Sequence, residues 1–232
     1  MQCLLMGGQA CILYGGAEFS RDTDLAVLAD VENLLRLRAA LDELQASYIA
    51  VPPFERAWLD LGLAVHFRCN HPEVEGMRVD VMSQMRGVEP FPALWQRRTT
   101  LDFGDDVLDV ISLPDLVQAK KTQRAKDWPM IARLVEANYF QHQDQPSPEQ
   151  IQFWLKELRT SSLLIDVARR FSTACDRLMP TRDLLTLAKA GDQPALEAAL
   201  RTEEQREREA DRLYWLPLKQ ELERLRRAAR KS

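Results

Sequence analysis

The chain has 232 residues, 46% of them hydrophobic, which suffices to fill one large domain, or a core domain with a smaller appendage, without disulfide or metal staples. Lys and Arg number 31 against 35 Asp and Glu, and the resulting net charge of -4 excludes a protein that coats nucleic acid non-specifically, leaving room only for a local basic groove. The four cysteines, Cys3, Cys11, Cys69 and Cys175, are scattered with no CxxC pair and no histidine at ligand spacing, and read as reduced thiols at the core or its boundary.

Neither a signal peptide nor a run of ~20 apolar residues is visible, so a soluble, cytoplasmic chain with no membrane partner is expected. Cys3 to Met6 reads as a short buried strand that ends at Gly7-Gly8, where no Cβ would keep a ligand away. Gln9 to Tyr14 reads as a helix with Ala10 and Leu13 toward the sheet, stopped by Gly15-Gly16. Asp22 to Ala29 is a second strand on which Asp22 and Asp24 share a face, because alternate residues of a strand point the same way. Asp30 is placed to cap a helix from Val31 to Ala46 that carries Leu34, Leu35, Leu37, Leu41 and Leu44 at helical spacing.

Ser47 to Val51 and Ala64 to Cys69 read as strands, separated by Pro52-Pro53 and a short helix over Phe54 to Leu61. Met77 to Ser83 alternates so that Asp80 faces with Arg78 and Met82, opposite Val79 and Val81. A helical stretch from Phe91 to Arg98 precedes an acidic hairpin, Leu101 to Val110, turning at Gly104-Asp105-Asp106. Ser112-Leu-Pro-Asp opens a helix through about Gln123, and Pro129 lies in the first turn of another through about Phe140 with Ile131, Leu134 and Val135 on its apolar face. The polar stretch Gln141 to Pro148 reads as a domain boundary. Beyond it the pattern is helical: Glu149 to Phe171, Asp183 to Ala190, Ala195 to Arg201, and a charged tail from Glu203 to Arg230 interrupted near Pro217. The expected architecture is α/β (α+β), a mixed sheet flanked by helices in residues 1–142 and a helical domain in 147–232.

Two acids at i and i+2 on one strand face, with a third from a neighbouring strand, can bridge a pair of Mg²⁺ ions, while glycine N–H groups at a helix start suit a phosphate. Gly7 and Gly8, then thirteen residues, then Asp22 and Asp24, with Asp80 on a later strand, supply these parts in order. An unpaired carboxylate between valines is costly, so Asp80 calls for a metal or a cation, and Arg78 on the same face is one such cation. His66 is read as a strand residue able to line the cleft. Trp95, Trp128, Trp154 and Trp215 read as core or inter-helix anchors.

Met6-Gly7-Gly8 followed by Asp22-Thr23-Asp24-Leu25 resembles the signature of the polymerase-beta-like nucleotidyltransferase superfamily over residues 1 to about 140. The segment from Ser112 to Trp128 looks like the downstream motif of the abortive-infection type nucleotidyltransferase-like proteins. The resemblance implies transfer of a nucleoside monophosphate from an NTP to an acceptor hydroxyl, with two Mg²⁺ ions held by Asp22, Asp24 and Asp80. It also implies nucleotide contacts from Gly7, Gly8, Arg21, Thr23, Lys120 (or Lys121) and Arg124, with Asp127 orienting the cations. A second register sets Asp24 first and Ala26 where the second acid belongs, and it implies a catalytically inactive relative that binds nucleotide or a protein partner. The acceptor implied is RNA, tRNA included, a small molecule or a protein, and a toxin masked by an antitoxin partner is a third possibility. The basic tail, Arg224, Arg226, Arg227, Arg230 and Lys231, reads either as an RNA or subunit contact or as a solvated helix end.

Overall fold

The computed structural model describes residues 1–104 and 106–230; Asp105 of the expected hairpin turn and Lys231 of the basic tail lie outside the described residues. The strands are β1 (Cys3–Met6), β2 (Asp22–Val27), β3 (Ser47–Tyr48), β4 (Val65–Arg68), β5 (Arg78–Met82), β6 (Thr99–Asp102) and β7 (Val107–Val110). The helices are α1 (Gly7–Leu13), α2 (Val31–Glu43), α3 (Arg56–Asp60), α4 (Phe91–Arg97), α5 (Leu113–Lys120), α6 (Asp127–His142), α7 (Pro148–Glu157), α8 (Ser161–Arg170), α9 (Ser172–Leu178), α10 (Leu185–Ala190) and α11 (Gln193–Ala229). Two compact units result, one of residues 1–13, 17–119 and 212–232, the other of 14–16 and 120–211. The fold is the expected one: a mixed seven-stranded sheet with helices in the N-terminal part and a mostly helical C-terminal region.

In the first unit the strand order is β3-β4-β5-β2-β1-β7-β6. The pairs β2/β5 and β1/β7 are parallel, and β1/β2, β3/β4, β4/β5 and β6/β7 antiparallel. One face is apolar: Val27, Val65, Phe67, Val79 and Val81 form a single buried cluster with Leu37 and Leu41 of α2 and Leu59 of α3. Helix α2 starts where expected, because the Asp30 carboxylate accepts the Asn33 N–H at 2.7 Å. Asn33 is itself buried, accepting the Gln2 N–H at 2.6 Å and donating to the Gln2 and Leu28 carbonyls at 2.8 and 2.9 Å, which ties the helix to the ends of β1 and β2. Leu35 does not join the apolar face: it is 61% exposed, because the covered arc of α2 is centred on Leu37 and Leu41. Leu13 is likewise 42% exposed, with Ala10 and Cys11 making the buried side of α1.

In the second unit Ile131, Leu134 and Val135 are fully buried as their spacing predicts, with Trp154, Leu155, Leu164, Val167, Leu185 and Ala188. The expected single helix from Glu149 to Phe171 is instead α7 and α8, broken after Leu158. The reason lies outside the local sequence. Arg182, almost fully buried, donates from Nη1 to the Leu155 carbonyl at 2.8 Å and from Nη2 to the Leu158 carbonyl at 3.2 Å, satisfying orphan carbonyls of the α7 end. Its charge is met by Glu203 at 2.9 Å. Helix α11 runs unbroken through Pro217, where an interruption was expected. Trp128 and Trp154 are buried anchors, and all four cysteines are free thiols. No described helix is long and apolar enough to cross a membrane.

Candidate functional site

β1 runs straight into α1, and because β2 lies antiparallel beside β1, Met6 stands opposite Asp24 with Gly7 immediately beyond. Gly7 has φ +67°, and a Cβ there would overlap the Asp24 carboxylate; a Cβ on Gly8 would overlap the Ser20 hydroxyl. The glycine pair is therefore required twice over, by backbone angle at Gly7 and by space at both. The Gly8 N–H donates to Asp24 Oδ2 at 3.4 Å. Ala26 sits two residues further into the sheet, opposite Leu4 and fully buried.

Parallel pairing of β2 with β5 sets Asp24 opposite Asp80 and Asp22 opposite Arg78, and antiparallel β4 adds His66 opposite Asp80 and Arg68 opposite Arg78. Strand alternation carries these six side chains to one face and the valines and Phe67 to the other. Thr23 leaves on the opposite side from the acids, and its hydroxyl accepts from Gln9 Nε2 at 3.0 Å.

Asp80 is only 8% exposed and does not stand unpaired. Arg78 Nε donates to Asp80 Oδ1 at 2.8 Å, and His66 Nδ1 lies 2.8 Å from the same oxygen and 3.1 Å from Arg78 Nη2. One ring nitrogen serves one of these at a time: protonated, Nδ1 donates to Asp80; unprotonated, it accepts from Arg78. Burial alone would raise the Asp80 carboxyl, but the hydrogen bonds and charges of His66 and Arg78 outweigh it and hold the group below the ordinary aspartate range. The Asp80 hydrogen bond pushes the Arg78 guanidinium further up against the opposing effect of burial, and the charges of Asp80, Asp22 and Asp24 act in the same sense.

In the second unit the cations of the α5 to α6 segment divide sharply. Lys121 Nζ is bound to Glu157 at 2.9 Å, both side chains nearly buried, and Arg124 Nε to Asp127 Oδ2 at 2.8 Å. Asp127, 2% exposed, also accepts from the Thr122 hydroxyl at 2.5 Å. Lys120, the last residue of α5, is half-buried, and no described residue gives its ammonium a hydrogen bond or an ion pair. Arg21 is exposed, its guanidinium 6.0 Å from the Phe19 ring.

The sequence matches no protein-family model. It matches no curated protein. Among solved structures, an antigenic nucleotidyltransferase-like protein from Paracoccidioides brasiliensis is similar over 86% of this chain and 84% of its own, at 16% identity and a TM-score of 0.31. A likeness that loose carries no argument about this chain. What bears on its chemistry is the carboxylate face itself.

The Mg²⁺ pair that the motif order implies would draw on Asp22, Asp24 and Asp80. Among the described residues no three or more His, Cys, Asp or Glu side chains are grouped to hold a metal ion. Asp80 Oδ1 has two nitrogens at 2.8 Å, Arg78 Nε and His66 Nδ1.

Proposed function

We propose that the N-terminal unit is a nucleotidyltransferase-type domain that takes a nucleoside triphosphate on its carboxylate face. The observation that carries this reading is the packing of the Gly7-Gly8 turn on Asp24, with Asp80 in register on the next strand. It favours Asp22 and Asp24 as the working pair over Asp24 and Ala26, since Ala26 lies deeper in the sheet opposite Leu4 and has no exposed surface. In the proposed reaction an acceptor hydroxyl oxygen bonds to the α-phosphorus, the bond from that phosphorus to the α,β-bridging oxygen breaks, pyrophosphate leaves with the electron pair, and the hydroxyl proton goes to solvent or a carboxylate. Two Mg²⁺ ions are what such chemistry draws on, and Asp22, Asp24 and Asp80 are the acids available; as arranged, Asp80 is engaged elsewhere, so no step is assigned to an ion. Of the cations assigned to the triphosphate, Lys121 and Arg124 each hold a carboxylate, whereas among the described residues neither Lys120 nor Arg21 has one.

The test is incubation of the full chain with each α-labelled NTP, Mg²⁺ and total RNA or small hydroxyl acceptors. Label transfer that disappears in Asp24→Ala supports the reading. No transfer with any nucleotide, together with no Mg²⁺-dependent NTP binding, sinks it. The second reading, a chain that binds nucleotide or a protein partner without catalysis, is favoured by the engagement of Asp80 with Arg78 and His66. NTP binding without transfer selects it.

A further inference from the structure

Three carboxylates on neighbouring positions of β2 and β5 repel one another, and like charges directly opposite destabilise a sheet unless a cation stands among them. Arg78 is that cation. It is the register partner of Asp22, shares a face with Asp80, and donates Nε to Asp80 Oδ1 at 2.8 Å. His66 approaches the same oxygen from β4, so the carboxylate at the centre of the row is enclosed from the far side as well. Guanidinium keeps its charge at every working pH and, unlike a bound ion, cannot dissociate.

We infer that Arg78 is the resident cation of the carboxylate face and fills the charge role of a divalent ion, so that without nucleotide the wild-type chain takes up divalent ions only weakly. The inference rests on the same face as the transferase reading but not on transfer. Mg²⁺ and Mn²⁺ demand several oxygen ligands in near-octahedral array, and an ion that took Asp80 Oδ1 as one of them would have to displace Arg78 Nε from it. At 37% side-chain exposure Arg78 has solvent to swing into, so the block is reversible.

Mn²⁺ is the probe, titrated into the full chain without nucleotide or acceptor and followed by loss of the free-ion electron paramagnetic resonance signal. Weak wild-type binding is expected, with Arg78→Gln at least about tenfold tighter, the size given by removing one positive charge roughly 5 Å from a dication at bulk-water screening. Arg78→Lys should stay weak, and adding Asp24→Asn to Arg78→Gln should abolish the gain. A wild-type site already saturated at micromolar Mn²⁺ overturns the inference, and this holds even if Arg78→Gln does not fold. So does a folded Arg78→Gln chain with no gain, or a gain that survives Asp24→Asn. Because neither NTP nor acceptor is present, a failed transfer assay sinks the enzyme reading and leaves this result intact.

Discussion

Gly7 shows how one missing methyl group organises the candidate site. Its φ of +67° alone would cost a side chain roughly 1–3 kcal/mol, and an alanine Cβ would also collide with the Asp24 carboxylate. Gly7→Ala is expected to lower the unfolding free energy by at least that amount and to weaken any NTP binding in the folded fraction, measured by equilibrium urea unfolding and calorimetric titration. Asp80 makes a second prediction at this scale. Its folded carboxyl ionises at lower pH than the unfolded one, which titrates near ~3.9. Its ion pairs thus stabilise fully above that pH, and the contribution is lost as pH falls through the still lower folded value. The stability gap between wild type and Asp80→Asn should shrink as pH falls below about 4; a gap that goes on widening below that pH refutes the assignment. The acids, glycines and Arg78 were legible from spacing and alternation. His66 was legible as a strand residue able to line the cleft but not as the partner of Asp80, since its place opposite Asp80 depends on the β4/β5 register, which no local signal specifies.

Elements were legible where their determinants are local. Asp30 caps α2, Ser112 opens α5, and Ser147 with Gln150 forms a reciprocal capping box at α7, each set by residues within one turn. Where the determinant is remote, the expectation failed. Helix α7 ends because Arg182, well downstream, takes its terminal carbonyls, and periodicity over Glu149 to Phe171 carries no trace of that. Arg182→Ala should therefore destabilise the chain by about 1–3 kcal/mol, the cost of leaving the Leu155 and Leu158 carbonyls without their donor while Glu203 keeps Arg159 at 3.0 Å, and should speed amide exchange at the C-terminal turn of α7 first. Loss confined to the global unfolding signal, with α7 protection unchanged, would contradict the capping role. Leu35 and Leu13 failed for a related reason: helical spacing names an apolar stripe but not the width of the arc that neighbours cover.

Charge is a property of the whole molecule, and here it weakens the case for a broad nucleic-acid surface. The net charge is -4, and tail residues Arg224 and Arg226 are paired with Glu221 and Glu223 at 2.5 and 3.1 Å on an exposed helix face. The chain should show no retention on mixed-sequence RNA beyond an acidic control at physiological salt, where non-specific binders reach Kd of about 10⁻⁴–10⁻⁶ M; retention that falls steeply with added salt would show a basic surface after all. By itself the sequence determined the fold class, most elements, the glycine turn and the three acids, because apolar period, turn chemistry and strand alternation are written in residues close together along the chain. Only the tertiary structure decided that Asp24 and Asp80 are register partners, that Asp80 is held by His66 and Arg78, and that Lys121 and Arg124 are engaged while the Lys120 ammonium has no partner among the described residues. Those outcomes depend on strand register and on ion pairs between residues far apart in sequence, which form only once burial has chosen which faces meet.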